Sequence, residues 1–247
     1  MNTSQSVLKP GLDLRNGTFR DGGPIYTETR PHRMVVEPFN AMTAAIFLWI
    51  AIYWFRRLRQ EPDRHRFLEG CMLLLAVGGV GGTLFHALRC SKLFFVLDIL
   101  PIDLLTVGVG VYLWMVLLDS PWRVVPILIP FVILYELAFW RLPRYLAISA
   151  SYCILALILL WPAGTHLVRT RYANWGWLAS ALVLFAVGVV FRSVDPYSGE
   201  WIPIGTHWLW HLFSAASVFA FTTYLYRLRG DLSARRETFP AAQTQSE

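Results

Sequence analysis

Seven apolar stretches, separated by short polar runs, make up most of the chain. They cover residues 35–55, 71–88, 94–118, 124–140, 145–163, 175–191 and 206–228. About 20 apolar residues in a helix cross the hydrocarbon core of a bilayer, so the pattern predicts an all-α membrane protein, a seven-transmembrane helix bundle over residues 35–228. A polar segment, residues 1–34, precedes the bundle, and its glycines and Pro24 leave no apolar core for a cleavable signal peptide. Residues 229–247 are charged and then rich in Thr, Gln and Ser, the composition of a disordered tail. Pro101 predicts a kink in the third helix unless it lies in the first turn.

Composition supports this class. Charged residues are 15% of the chain, against roughly 25% in soluble domains. The net charge of +6 suggests nucleic acid at first sight, but the arginines stand in short blocks between apolar runs, which is a topology signal rather than a binding face. The strongest block, residues 56–66, is expected in the cytoplasm, and Arg227, Arg229, Arg235 and Arg236 agree with it after an odd number of spans. The N-terminus is then outside. Cys71, Cys90 and Cys153 form no CxxC pair and read as small hydrophobes, not as a disulfide set or a cysteine zinc site.

With this topology the unusual polar residues fall at one membrane face. Glu37 and Asn40 open helix 1, Thr83 and His86 close helix 2, and Asp98 opens helix 3; Arg192 and Asp195 close helix 6, and His207 and His211 open helix 7. Histidine is costly inside a bilayer and is kept there mainly for function. His207 and His211 share a helix face, as residues at i and i+4 do, which suits two ligands of one metal or, alternatively, a pair of interfacial histidines beside a Trp belt. With His86 as a third ligand and one position open, three imidazoles make an intramembrane zinc site that lowers the pKa of a bound water to about 7. Asp98 fits a proton acceptor or a partner orienting a ligand imidazole, with helix capping as the structural alternative. Thr83 lies on the His86 face and offers a hydroxyl to an oxyanion, against the alternative of a bond to its own backbone within a glycine-rich stretch that lets helices approach. Asp103 and Glu136 lie deeper and suit a polar cavity or an arginine partner. Arg192 and Asp195 read as an ion pair bracing the site, and His32, His65 and His166 as solvated loop residues.

Several blocks carry a family resemblance: Tyr26-Thr-Glu28 followed by Glu37-Pro-Phe-Asn40, Gly-Thr-Leu-Phe-His86, Leu97-Asp98-Ile-Leu-Pro101, Phe191-Arg-Ser-Val-Asp195 and Gly205-Thr-His-Trp-Leu-Trp-His211. In order and spacing the chain resembles the alkaline ceramidases, closer to their prokaryotic branch, within the seven-helix membrane hydrolases that include the adiponectin and progestin receptors. The resemblance implies a zinc-dependent amidase that cuts an N-acyl lipid such as ceramide into a long-chain amine and a fatty acid. His86, His207 and His211 then match the zinc ligands and Asp98 the catalytic-site aspartate. Glu28, Glu37 and Asn40 match a calcium site, although Ile25 stands where an aspartate is usual and Arg30 offers a side-chain charge in place of the ion. Gly82 stands where the family has a serine, with Thr83 one residue on. The expected partner is a membrane lipid substrate, with no nucleic acid, and the expected location is the plasma (inner) membrane of a prokaryote. A lipid-binding receptor or sensor without turnover is the first alternative and a metal or proton transporter the second.

Overall fold

The computed structural model describes residues 12–13, 18–62, 65–118, 120–142 and 144–238. Seven α-helices are found where the apolar pattern puts them: α1 (Pro38–Arg59), α2 (Arg66–Leu88), α3 (Lys92–Leu118), α4 (Pro121–Arg141), α5 (Arg144–Arg169), α6 (Trp175–Val194) and α7 (His207–Thr238). A two-stranded antiparallel ribbon, β1 (Leu12–Asp13) with β2 (Thr18–Phe19), and a 3-10 helix, Asp195–Glu200, complete the described elements. Five of the helical segments are long and apolar enough to cross a membrane: α1, α2, α3, Ala150–Arg169 of α5, and α6 with its 3-10 extension. Their outward side chains are large and apolar, among them Trp49 and Tyr53 on α1 and Leu73, Val77 and Val80 on α2, which is what lipid-facing surfaces require. α7 is more polar, because its histidines are followed by Ser214, Ser217, Thr222 and Thr223, all buried. It stays helical to Thr238, past the apolar stretch and into the segment expected to be a disordered tail; residues 239–247 lie outside the described residues.

The chain divides into two compact units. One holds residues 1–109 and 187–215, the other residues 110–186 and 216–247. In the first, α1 packs on α2. Pro38 at the first turn suits a helix start, and Arg56, Arg57 and Arg59 in the last turn suit its negative end. α2 opens on His65, whose ring accepts the Leu68 N–H (3.4 Å), and closes on Arg89 in the left-handed conformation (φ 47°). Glycines let its neighbours approach. A Cβ at Gly79 would come within 2.7 Å of the Leu48 backbone on α1, and one at Gly81 within 2.6 Å of the Leu97 carbonyl on α3. That carbonyl is the one Pro101 cannot serve with an N–H, and the Pro101 ring itself faces Gly78. α3 continues through the proline as one helix.

In the second unit α4 packs on α5. Trp114, Leu117 and Val124 form a buried cluster there. Tyr224 is buried with its hydroxyl on the Ala163 carbonyl (3.2 Å), and Ser217 donates to the Ala181 carbonyl (2.7 Å).

Candidate metal centre

His86, at the end of α2, and His207 and His211, in the first turns of α7, meet in the first unit. One nitrogen from each lies within 4.8 Å of the other two, and all three residues are buried. Ring centroids stand 4.7 to 5.4 Å apart. This group could hold a metal ion.

The fit can be tested on the hydrogen bonds, which fix which nitrogen is left for an ion. His86 Nδ1 lies 2.5 Å from Glu37 Oε2. A carboxylate only accepts, so the proton sits on Nδ1 and Nε2 keeps its lone pair. That Nε2 is buried with no hydrogen-bond partner. His211 Nδ1 lies 3.1 Å from the Asn40 carbonyl, which also only accepts, so its Nε2 is again the free base. Thr43 Oγ1 stands 3.2 Å from the same Nδ1. His207 has a buried, unpartnered Nδ1, and its ring stacks on Tyr26 (3.8 Å between centroids). Orphaned imidazole nitrogens in a buried cluster are the donor set a borderline-soft ion such as zinc takes.

Asp195 and Gly205 place His207. Asp195 Oδ1 accepts the N–H groups of Thr206 (2.7 Å) and His207 (2.9 Å), and Oδ2 accepts that of Thr27 (3.0 Å). It therefore braces the site by capping α7; the Arg192 guanidinium lies over the Trp210 ring at 5.7 Å. Gly205 has φ +69°, and a Cβ there would run into Asp195 Oδ1 and Thr27.

The Asp98 carboxylate lies against Gly82, one turn before His86 on the same face of α2, close enough that a Cβ at position 82 would displace it. The glycine at position 82 thus makes room for the aspartate. Thr83 donates its hydroxyl to the Gly79 carbonyl (2.7 Å), the backbone role weighed as its alternative.

Of the expected calcium ligands, Glu28 and Glu37 are otherwise engaged, while Asn40 Oδ1 is buried without a donor. Glu28 caps α1, its two oxygens accepting the Phe39 (2.7 Å) and Asn40 (2.9 Å) N–H groups. Burial pushes its carboxyl up, against the pull of those two donors. Glu37 accepts from His86, from Thr29 (2.6 Å), from Asn40 Nδ2 (3.3 Å) and from Arg89. Arg30 donates to the carbonyls of Thr27 (2.7 Å), Thr29 (3.0 Å) and Pro203 (3.2 Å). These oxygens do not fit an added calcium ion, which needs six to eight of them.

Two residues missing from the sequence reading complete the centre. Arg89 and Asp21 are both fully buried and form a bidentate pair (2.7 and 3.0 Å). The signal was slight: an arginine three residues after His86, and an aspartate before Gly22-Gly23-Pro24, which reads as a turn. Two histidines behave differently from expectation. His65 is buried as the α2 cap, and His166 is buried with Nε2 on the Leu113 carbonyl (3.1 Å); a helix end and a main-chain carbonyl, not water, satisfy them. His32 is exposed, as read. Glu136 is exposed and accepts the Trp140 indole N–H (3.1 Å), and Asp103 is half-buried.

The fold and the site define a predominantly helical protein with helices fit to cross a membrane several times and a buried three-histidine group. No family model matches the chain, and no curated protein does.

Proposed function

We propose that the chain is a zinc-dependent amidohydrolase in a seven-helix membrane bundle, cleaving an N-acyl lipid of the ceramide kind to a long-chain amine and a fatty acid. The observation that carries this reading is the buried His86, His207 and His211 group with orphaned ring nitrogens. Zinc, when bound, supplies an acidified water and a Lewis acid for the carbonyl oxygen. Glu37 keeps the His86 proton on Nδ1, the Asn40 carbonyl does the same for His211, and Asp195 holds the α7 N-terminus that carries His207. The Asp98 carboxylate takes the proton of the attacking water and returns it to the leaving amine nitrogen. The apolar outer faces of the helices suit a substrate arriving from the bilayer, with the N-terminus outside and the C-terminus in the cytoplasm of a prokaryotic plasma membrane.

The test is metal analysis of the purified protein beside His86→Ala and His207→Ala, together with release of fatty acid from an N-acyl sphingoid lipid before and after chelation. Zinc in the parent alone, and product only while zinc is bound, are expected. Product undiminished after stripping overturns the hydrolase. A lipid receptor without turnover is the second reading, favoured by Gly82 and by the Thr83 hydroxyl bonded to its own helix; it predicts zinc and lipid binding with no product.

A further inference from the structure

Arg89 makes four side-chain hydrogen bonds, and the proposed chemistry does not use it. It stands at the end of α2, three residues past His86, in a left-handed backbone conformation (φ 47°) that closes the helix. Its side chain is fully buried. Nε and Nη2 hold the two oxygens of Asp21, Nη1 holds Glu37 Oε1, and Nη2 also reaches the Pro24 carbonyl (3.0 Å). The rings of Phe85, Phe19 and Tyr26 surround the guanidinium at 4.5, 5.0 and 5.6 Å. A planar fork with fixed donors satisfies two carboxylates and a carbonyl at once, which an ammonium cannot.

We propose that Arg89 is a built-in cation of the metal centre: it occupies the place a divalent ion would need between Asp21 and Glu37 and, through Glu37, holds His86 in the tautomer that leaves Nε2 free. The inference rests on the three-histidine metal reading. It follows from two arrangements. Glu37 is shared, with Oε1 on Arg89 and Oε2 on His86 Nδ1, so the guanidinium fixes the carboxylate that fixes the imidazole. The acidic oxygens that would attract a second cation also carry protein donors. Those of Asp21 face Arg89 and the Gly23 N–H (2.9 Å), and those of Glu28 face the α1 N-terminus. Asn40 Oδ1 is the exception, buried without a donor, and one neutral oxygen does not make a calcium site. Arg89 is thus a positioning residue, and the chain needs one kind of metal rather than two.

The test uses the full chain in detergent, with zinc affinity read by competition against a chromophoric chelator and ligand geometry by the visible spectrum of the cobalt-substituted protein. Arg89→Met is expected to weaken zinc binding about 10–100-fold, the usual effect of losing a partner behind a ligand, and to shift the cobalt bands. Arg89→Lys keeps the charge without the fork and is expected between the two; with Asp21→Asn it serves if Arg89→Met does not fold. The unfolding temperature of the parent is expected to be the same in calcium and in a calcium chelator. Parental zinc affinity and cobalt spectrum in both Arg89 variants overturn the role, and so does stabilisation of the parent by calcium. A parent that takes up no zinc overturns the metal reading itself, an outcome distinct from a zinc-loaded parent with indifferent Arg89 variants.

Discussion

In the unit of residues 110–186 and 216–247, buried polar side chains end on main-chain carbonyls: His166 on Leu113, Ser217 on Ala181, Tyr224 on Ala163 and Thr170 on His166. In the unit of residues 1–109 and 187–215 the buried charged groups behind His86 end on one another, Asp21 on Arg89, Arg89 on Glu37, Glu37 on His86 and Thr29. The first pattern satisfies each of these four groups on the main chain, so none of the four is left to bind. The second consumes one nitrogen of His86 and leaves the other bare. A buried histidine among apolar helices is therefore no sign of function in itself. His166 and His86 are both buried, and what separates them is whether the ring faces only a carbonyl or two other imidazoles.

The sharpest way to break this comparison is to remove one histidine from each unit. His207→Ala is expected to abolish zinc binding, measured as metal per chain after gel filtration. His166→Ala in the same assay is expected to keep the full metal content. Between these extremes, Glu37→Gln strips the charge from the shared carboxylate and leaves Arg89 buried beside one anion instead of two. The loss is expected to reach about 3–5 kcal/mol of stability, the range for breaking a buried pair, with zinc binding weaker by about 10–100-fold; unchanged values in thermal unfolding and zinc titration would show that the network is not connected as drawn. His166→Ala also removes the side-chain hydrogen bond to the Leu113 carbonyl, which keeps its own helix donor, at a cost of about 0.5–1.5 kcal/mol in thermal unfolding. The smallest effect belongs to Thr83→Val. Its hydroxyl ends on a main-chain carbonyl, as those of the other unit do, so turnover of an N-acyl lipid is expected to stay within about twofold; a drop of about 100-fold, the loss of an oxyanion donor, would move Thr83 into the chemistry.

Much of the architecture was legible because apolar periodicity needs no partner. A run of about 20 apolar residues is helical for the same reason in any membrane context, since its backbone groups must bond within the segment. The seven helices consequently lie where the pattern puts them, with most ends displaced by a few residues and the end of α7, at Thr238, well past its apolar stretch. His65 extends α2 beyond its apolar run by accepting the Leu68 N–H. Polar groups beyond the apolar run carry less of that information. His65 and His166 lie in polar stretches and read as solvated, yet the fold buries both, because a helix N-terminus and a carbonyl are waiting for them.

The chemistry divides in the same way. The sequence alone pointed to His86, His207 and His211 as one group, through the i, i+4 spacing and the expected helix directions, and the three do lie within reach of one ion. The sequence also determined that Gly82 cannot provide a hydroxyl. Only the tertiary structure decided what surrounds them: Asp98 occupying the space above Gly82, Asp195 capping α7, Glu28 capping α1, and Arg89 set between Asp21 and Glu37. Those contacts join residues up to 68 positions apart. Neither helical period nor composition specifies such a pairing. A carboxylate in a loop looks the same on paper whether it is meant for an ion, a helix end or a guanidinium, and the choice is made by which donor the fold brings within hydrogen-bond distance once water is gone.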